Sequence, residues 1–165
     1  MRLWTVLLVL FIAGCSSTSS TQGSNSSLTQ PVQVDAASDK TDTMTYRGLA
    51  AALYPKTLET VGVFKVKATG DIIGRVFLNT EYDYRDPRNI TVVIPPKLAA
   101  EFEQKHKTSP KTYFLNKQIF VKGELAQVKI WFAFNGKRSS KYYYQTHIRI
   151  ASLDDIRLLS KNESS

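Results

Sequence analysis

A small all-β domain with one helix, five strands in the order β-β-β-α-β-β closing into a barrel, is the fold this sequence predicts. Three observations predict it. From residue 60 onward, runs rich in β-branched and aromatic residues are separated by Gly, Pro and Asn-Gly turn signals. One amphipathic helix pattern, "PKLAAEFEQKH", interrupts them after the third run. Two long runs follow, and Gly123 sits where the first of them must bend, so that one long strand can join both ends of a sheet.

The first 45 residues stand outside that domain. "MRLWTVLLVLFIAGCSS" opens with one cation, Arg2, followed by an apolar run over residues 3–13. At roughly a dozen residues the run is too short to cross a ~30 Å hydrocarbon core as a helix and has the length of a signal-peptide core. It ends in Ile12-Ala13-Gly14-Cys15, which resembles the lipobox of bacterial lipoproteins. The resemblance implies a signal peptide over residues 1–14, cleaved so that Cys15 is acylated and anchors the chain to a membrane. Several acyl chains, at ~0.8 kcal/mol per buried methylene, make such an anchor stable. Ser16 follows where an aspartate would favour inner-membrane retention, which points to the periplasmic face of an outer membrane. In a Gram-positive cell the same anchor would put the chain on the outer surface. Cys15 is also the only cysteine, which excludes an intrachain disulfide.

Residues 15–45 are rich in Ser, Thr, Gln and Asp and nearly free of large apolar side chains. Such a segment buries too little surface to overcome its ordering entropy, so a disordered tether is predicted, with an r.m.s. reach of roughly 30 Å. The domain is predicted over residues 46–160, and the polar tail 161–165 is predicted to fray. With 165 residues, 42% of them hydrophobic, the chain has material for one core. Its net charge of +8 is uneven. Residues 44–160 hold 19 Lys and Arg against 10 Asp and Glu, a net +9, whereas residues 16–43 are net −2. The folded part is therefore the basic part, and a basic surface favours nucleic acid, lipid headgroups or acidic glycans.

Within the domain, "TVGVFKVKAT" (residues 60–69) reads as a strand stopping at Gly70-Asp71, and "RVFLN" (75–79) follows Gly74. "NITVVI" (89–94) alternates, with Ile90, Val92 and Ile94 on one side, until Pro95-Pro96 ends it. The helix occupies residues 96–106, with proline in its first turn and Leu98, Ala99 and Phe102 as its apolar stripe. Two long strands are predicted over residues 118–134 and 142–151, followed by a short helical turn at "SLDDI".

Parity is informative in the long strands. Ile119, Val121 and Leu125 are odd, whereas Val128, Ile130, Phe132 and Phe134 are even, so a bulge or strong coil is predicted near Ala126-Gln127. Asn135-Gly136 is a two-residue hairpin signal, but that turn pairs even positions with odd ones. Since Tyr142, Tyr144, Ile148 and Ile150 are also even, a connection of three or seven residues within "NGKRSSK" is predicted instead.

The stretches "TVGVFKVKATGDIIGRVFLNT", "DPRNITVVIPPKLAAEF" and "NKQIFVKGELAQVKI" together resemble bacterial OB-fold domains of the nucleic-acid-binding class. Those show a "V-x-G-x-V" first strand, "G-x-x-F-L-N" in the second, a third strand, a helix, and "G-K-x-V-x-V-x-G" opening the fourth. The resemblance covers residues 58–150 and implies a five-stranded OB-fold-like barrel. Two departures stand out: Asn116 replaces the usual glycine before Lys117, and the loop after Asn79 is longer than the pattern requires. Asparagine also tolerates the left-handed conformation that glycine would supply there.

That loop, "NTEYDYRDPRN", holds Glu81, Asp83 and Asp86 but lacks the turn glycine and distal glutamate of a calcium loop. Arg85 and Arg88 compete for the same carboxylates, so ion pairs shaping the loop are predicted. His106 and His147 have neither helical spacing nor a cysteine partner for a metal, and no nucleophile–base arrangement stands out. No cofactor, metal or catalysis is predicted. In OB folds the ligand face is built from strands two and three and the flanking loops. By the resemblance, Arg75, Tyr82, Tyr84, Arg85 and Arg88 lie on that face, joined by Lys137, Arg138 and Lys141 and extended by Trp131 and Tyr143. The function expected is a non-catalytic binding module for an envelope protein. The alternative is an anionic polymer, single-stranded nucleic acid or acidic glycan, since bases stack on rings while cations follow phosphates.

Overall fold

The computed structural model describes residues 42–159. The expectations for the signal peptide, for Cys15, for the tether before residue 42 and for the tail 161–165 fall outside the described residues. Within them the chain is mostly β, with three helices and an open seven-stranded sheet.

The first element is a helix, α1 (Thr43–Leu53), in a stretch assigned above partly to the tether. Its signals are all local. Asp42 caps it by accepting from the Met44 amide at 3.0 Å and the Thr45 hydroxyl at 2.6 Å. Tyr46, Leu49, Ala50 and Leu53 then recur at helical spacing, and Tyr46 and Ala50 are fully buried. The Tyr46 hydroxyl donates to the carbonyl of Val61, and its ring packs edge-on against Phe64 at 5.3 Å. Gly62 permits this approach, because a Cβ there would stand 2.7 Å from both the Tyr46 hydroxyl and the Phe64 ring.

The predicted strand over 60–69 is two strands, β1 (Leu58–Lys65) and β2 (Ala68–Ile72). Val66 leaves the ladder between them because its amide bonds Lys117 and its carbonyl accepts from Asn116. β2 runs through Gly70-Asp71 and turns at Ile73-Gly74, both at positive φ, into β3 (Arg75–Asn79). β4 (Ile90–Ile94) follows the long loop, and α2 (Pro96–His106) spans the predicted residues. A short helix absent from the sequence reading, α3 (Pro110–Phe114), precedes β5 (Gln118–Phe134) and β6 (Lys137–Arg149). A 3-10 turn over Leu153–Asp155 leads into β7 (Ile156–Leu158). Asn116 adopts φ +63°, as its tolerance for that region allows.

The strand order is β1-β5-β6-β4-β3-β2, with β7 pairing β5; β4 and β6 are parallel and the other pairs antiparallel. Seven strands replace the five expected, and the sheet is not closed: β1 and β2 are its two ends, joined through residues 66–67. Phe64, Leu78, Ile90, Val92, Ile94, Phe102, Phe114, Ile119, Val121, Leu125 and Ile148 form the core. β4 is buried throughout because it lies inside the sheet.

Two predictions about the long strands are corrected. The connection is the two-residue Asn135-Gly136 turn, with φ +49° and +72°, and residues 137–141 belong to β6. No register shift occurs at Ala126-Gln127, because the β5–β6 ladder runs continuously from Glu124 to Trp131; the irregularity lies between Trp131 and Ala133. Even positions of β5 therefore pair with odd positions of β6, as Ile130 does with Tyr143. The parity switch has another cause. Ile119, Val121 and Leu125 face the core, and Val128 and Ile130 face the opposite side of the sheet, where they line a groove.

Candidate functional site

The groove has a volume of about 560 Å³ and crosses one face of five neighbouring strands. β2 supplies Asp71 and Ile72, β3 supplies Arg75, Phe77 and Asn79, and β4 supplies Thr91. β5 contributes Val128 and Ile130, β6 contributes Tyr143, Gln145 and His147, and Tyr84 reaches in from the long loop. Strand alternation explains this set. Val76 and Leu78 point into the core, so Arg75, Phe77 and Asn79 point the other way.

Asn89 holds the long loop over the groove. Its side-chain amide donates to Asn79 Oδ1 at 3.2 Å, to Thr91 Oγ1 at 2.9 Å and to the Tyr84 carbonyl at 3.4 Å. Its Oδ1 accepts from the Glu81 amide at 3.0 Å. Thr91 donates to Asn79 Oδ1 at 2.9 Å, and the Ile90 amide donates to Thr80 Oγ1 at 2.8 Å. Among the described residues, no buried side-chain polar atom lacks a hydrogen-bond partner, which makes this a rigid support for Tyr84. Gln145 reinforces it from β6 by donating to the Tyr84 carbonyl at 3.3 Å and to the Tyr143 hydroxyl at 3.2 Å.

The loop ion pairs are present. Arg85 binds both oxygens of Asp83 at 3.0 and 3.1 Å, and Arg88 binds both oxygens of Asp86 at 3.1 and 2.7 Å. The guanidinium groups hold both carboxyls below the usual range, Asp86 at about 2. Glu81 pairs with Lys67 at 2.6 Å instead. Each loop arginine thus carries its own counterion, and the loop adds little net charge to the groove.

His147 is buried in the groove wall, near the Phe77 ring at 6.4 Å and with Nε2 2.8 Å from Gln145 Oε1. Burial, with Arg149 and Arg75 nearby, pushes its pKa down to about 4, so the ring is neutral at physiological pH. Burial also raises the Tyr143 phenol.

The expected site residues are distributed over three places. Arg75, Tyr84 and Tyr143 line the groove, with Arg85 stacked on Tyr84 at 5.6 Å. Tyr82 is 80% exposed and, like Arg88, is not among the groove's lining residues. Trp131 and Arg138 meet each other, 3.7 Å from guanidinium carbon to ring centroid, on the other face of the β5–β6 hairpin, and Lys137 and Lys141 are exposed on the same hairpin. Asp71, Ile72, Phe77, Asn79, Thr91, Val128, Ile130, Gln145 and His147 also line the groove and are not among the sequence candidates; the odd-to-even switch at 126–127 is the signal that could have pointed to Val128 and Ile130.

No family model matches the chain, and no curated protein does either. Among the described residues no group of three His, Cys, Asp or Glu is placed to hold a metal ion, and no helix is long and apolar enough to cross a membrane.

Proposed function

We propose that this chain is a lipid-anchored cell-envelope protein whose folded domain is a non-catalytic binding module. In this reading Cys15 carries the anchor at the periplasmic face of an outer membrane. The sheet is then an open variant of the OB-like barrel, with β1 and β2 acting as one bent first strand. Taken so, and with α1, α3 and the short β7 set apart as additions, the remaining elements run β-β-β-α-β-β, and the groove lies on the face where such barrels hold ligands.

The observation that carries the choice of ligand is the groove's lining. Ile72, Phe77, Val128 and Ile130 give it an apolar floor, Asn79, Thr91, Gln145 and a neutral His147 give it hydrogen-bonding groups, and the loop arginines are occupied by Asp83 and Asp86. Arg75 is the one cation among the lining residues and Asp71 lines the same groove, so an apolar floor with few, convergent polar groups suits a polypeptide segment of an envelope protein better than a polyanion, which needs a row of unpaired cations along its path.

The test is chemical cross-linking of the full-length chain in envelope fractions. Ile130→Asp and Tyr84→Ala should each weaken formation of a protein adduct by tenfold or more, as loss of a central contact does. Tyr82→Ala, outside the groove, should leave it unchanged. An adduct that survives Ile130→Asp contradicts the reading. So does groove-dependent binding of single-stranded DNA whose affinity falls steeply with salt.

A further inference from the structure

The β5–β6 hairpin carries a second surface on the face opposite the groove. Trp131, Tyr142, Tyr144 and Tyr54 form a row of rings with centroid spacings of 5.2, 5.6 and 5.5 Å, each pair edge to face. Tyr142, Tyr144 and Tyr54 are each more than 40% exposed. Two cations are threaded among the rings. Lys129 Nζ lies 4.2 Å from the Tyr142 centroid, 5.2 Å from Trp131 and 5.7 Å from Tyr144, and the Arg138 guanidinium carbon lies 3.7 Å from the Trp131 centroid.

The arm has no carboxylate. Residues 126–144 hold Lys129, Lys137, Arg138 and Lys141, six aromatic residues and no Asp or Glu. None of the four cations makes an ion pair among the described residues. The rings fix Lys129 and Arg138 in place without neutralising them, so the arm is a preorganised positive surface.

We propose that this arm docks into the headgroup layer of an anionic phospholipid membrane. Three features choose that partner. Tyr and Trp present an apolar body and a polar tip, the chemistry of a water–hydrocarbon interface, and uncompensated Lys and Arg are drawn to anionic headgroups. Aromatic rings occupy both faces of the arm, since Phe132 packs on Tyr143 at 5.2 Å on the groove side, so an enveloping medium covers it more fully than a flat partner. Stacking of nucleic-acid bases is disfavoured, because the rings stand at 63° to 79° to one another and cations already lie over Trp131 and Tyr142. The proposal requires neither the anchor at Cys15 nor an occupied groove.

Trp131 reports on the arm directly. The chain has only one other tryptophan, Trp4, so Trp4→Phe in the full chain leaves Trp131 as the single tryptophan, excited selectively at wavelengths that tyrosine does not absorb. With vesicles of phosphatidylglycerol and phosphatidylethanolamine, Trp131 emission should be quenched by lipids brominated near the headgroup, and its quenching by acrylamide should fall at least threefold. Phosphatidylcholine vesicles should give neither effect. Lys129→Glu with Arg138→Glu should abolish both effects, and so should Lys137→Glu with Lys141→Glu, which alters only exposed side chains. A Trp131 that stays open to acrylamide and untouched by bromolipid on anionic vesicles overturns the proposal, even if the chain is held there by its N-terminal segment. Equal quenching on phosphatidylcholine, or shielding by single-stranded DNA in place of vesicles, also overturns it.

Discussion

His147 shows how the groove sets the behaviour of one side chain. Its ring is buried beside two guanidinium groups, so protonation in the folded state must overcome both desolvation and repulsion. The folded pKa of about 4 lies below the ordinary 6.5, so between these values the unfolded chain binds more protons and stability falls as pH drops. The difference corresponds to about 3 kcal/mol at most, lost between pH 6.5 and 4. Asp83 and Asp86 are depressed from 3.8, so their contribution is lost only below that window. Urea denaturation across pH 4 to 7 should therefore show a slope that His147→Gln flattens, leaving the decline below pH 4 in place. Arg85 and Arg88, by contrast, are exposed, and ion pairs of that kind add little to stability. Their effect on the site is to cancel charge.

At the scale of elements, α1 and the β5–β6 hairpin separate what the sequence made legible from what it did not. The limits of α2 and β5 could be read because proline stops, periodicity and β-branched runs agreed there. α1 has its own cap and stripe, but it directly follows a long polar segment and its first residues share that segment's polarity, and its packing partner, Gly62 on β1, is visible only in three dimensions. Gly62→Ala tests that packing. The new methyl group meets Tyr46 and Phe64 at 2.7 Å and should destabilise the domain by about 1–3 kcal/mol, read as a lower denaturation midpoint at unchanged slope.

The hairpin departs from its sequence pattern for a different reason. Its parity was interpreted on the premise of a single buried face, so Val128 and Ile130 demanded a bulge and the Asn135-Gly136 turn had to be rejected. The residues serve two faces instead: β5 gives Leu125 to the core and then Val128 and Ile130 to the groove. Sequence alternation records which side of a strand is apolar, but it does not say whether that side faces a core or a binding surface. For the same reason Arg75, Tyr84 and Tyr143 were identifiable as candidates, while Phe77 and His147 looked like ordinary strand residues.

For the whole molecule, the uneven charge has a structural expression. The loop beside the groove balances its arginines internally, and the unbalanced cations of the hairpin sit on its arm among aromatic rings. The two surfaces therefore differ in chemistry: a nearly neutral, apolar-floored groove, proposed to take a polypeptide, and a basic aromatic arm. Site-specific photo-cross-linking in cells distinguishes an occupied groove from an idle one. A photoreactive residue at Val128, half-buried on the groove floor, should form a discrete protein adduct, and the same residue at Lys97, exposed on α2, should not. Adducts of equal yield at both positions, or at Lys97 alone, would contradict the account.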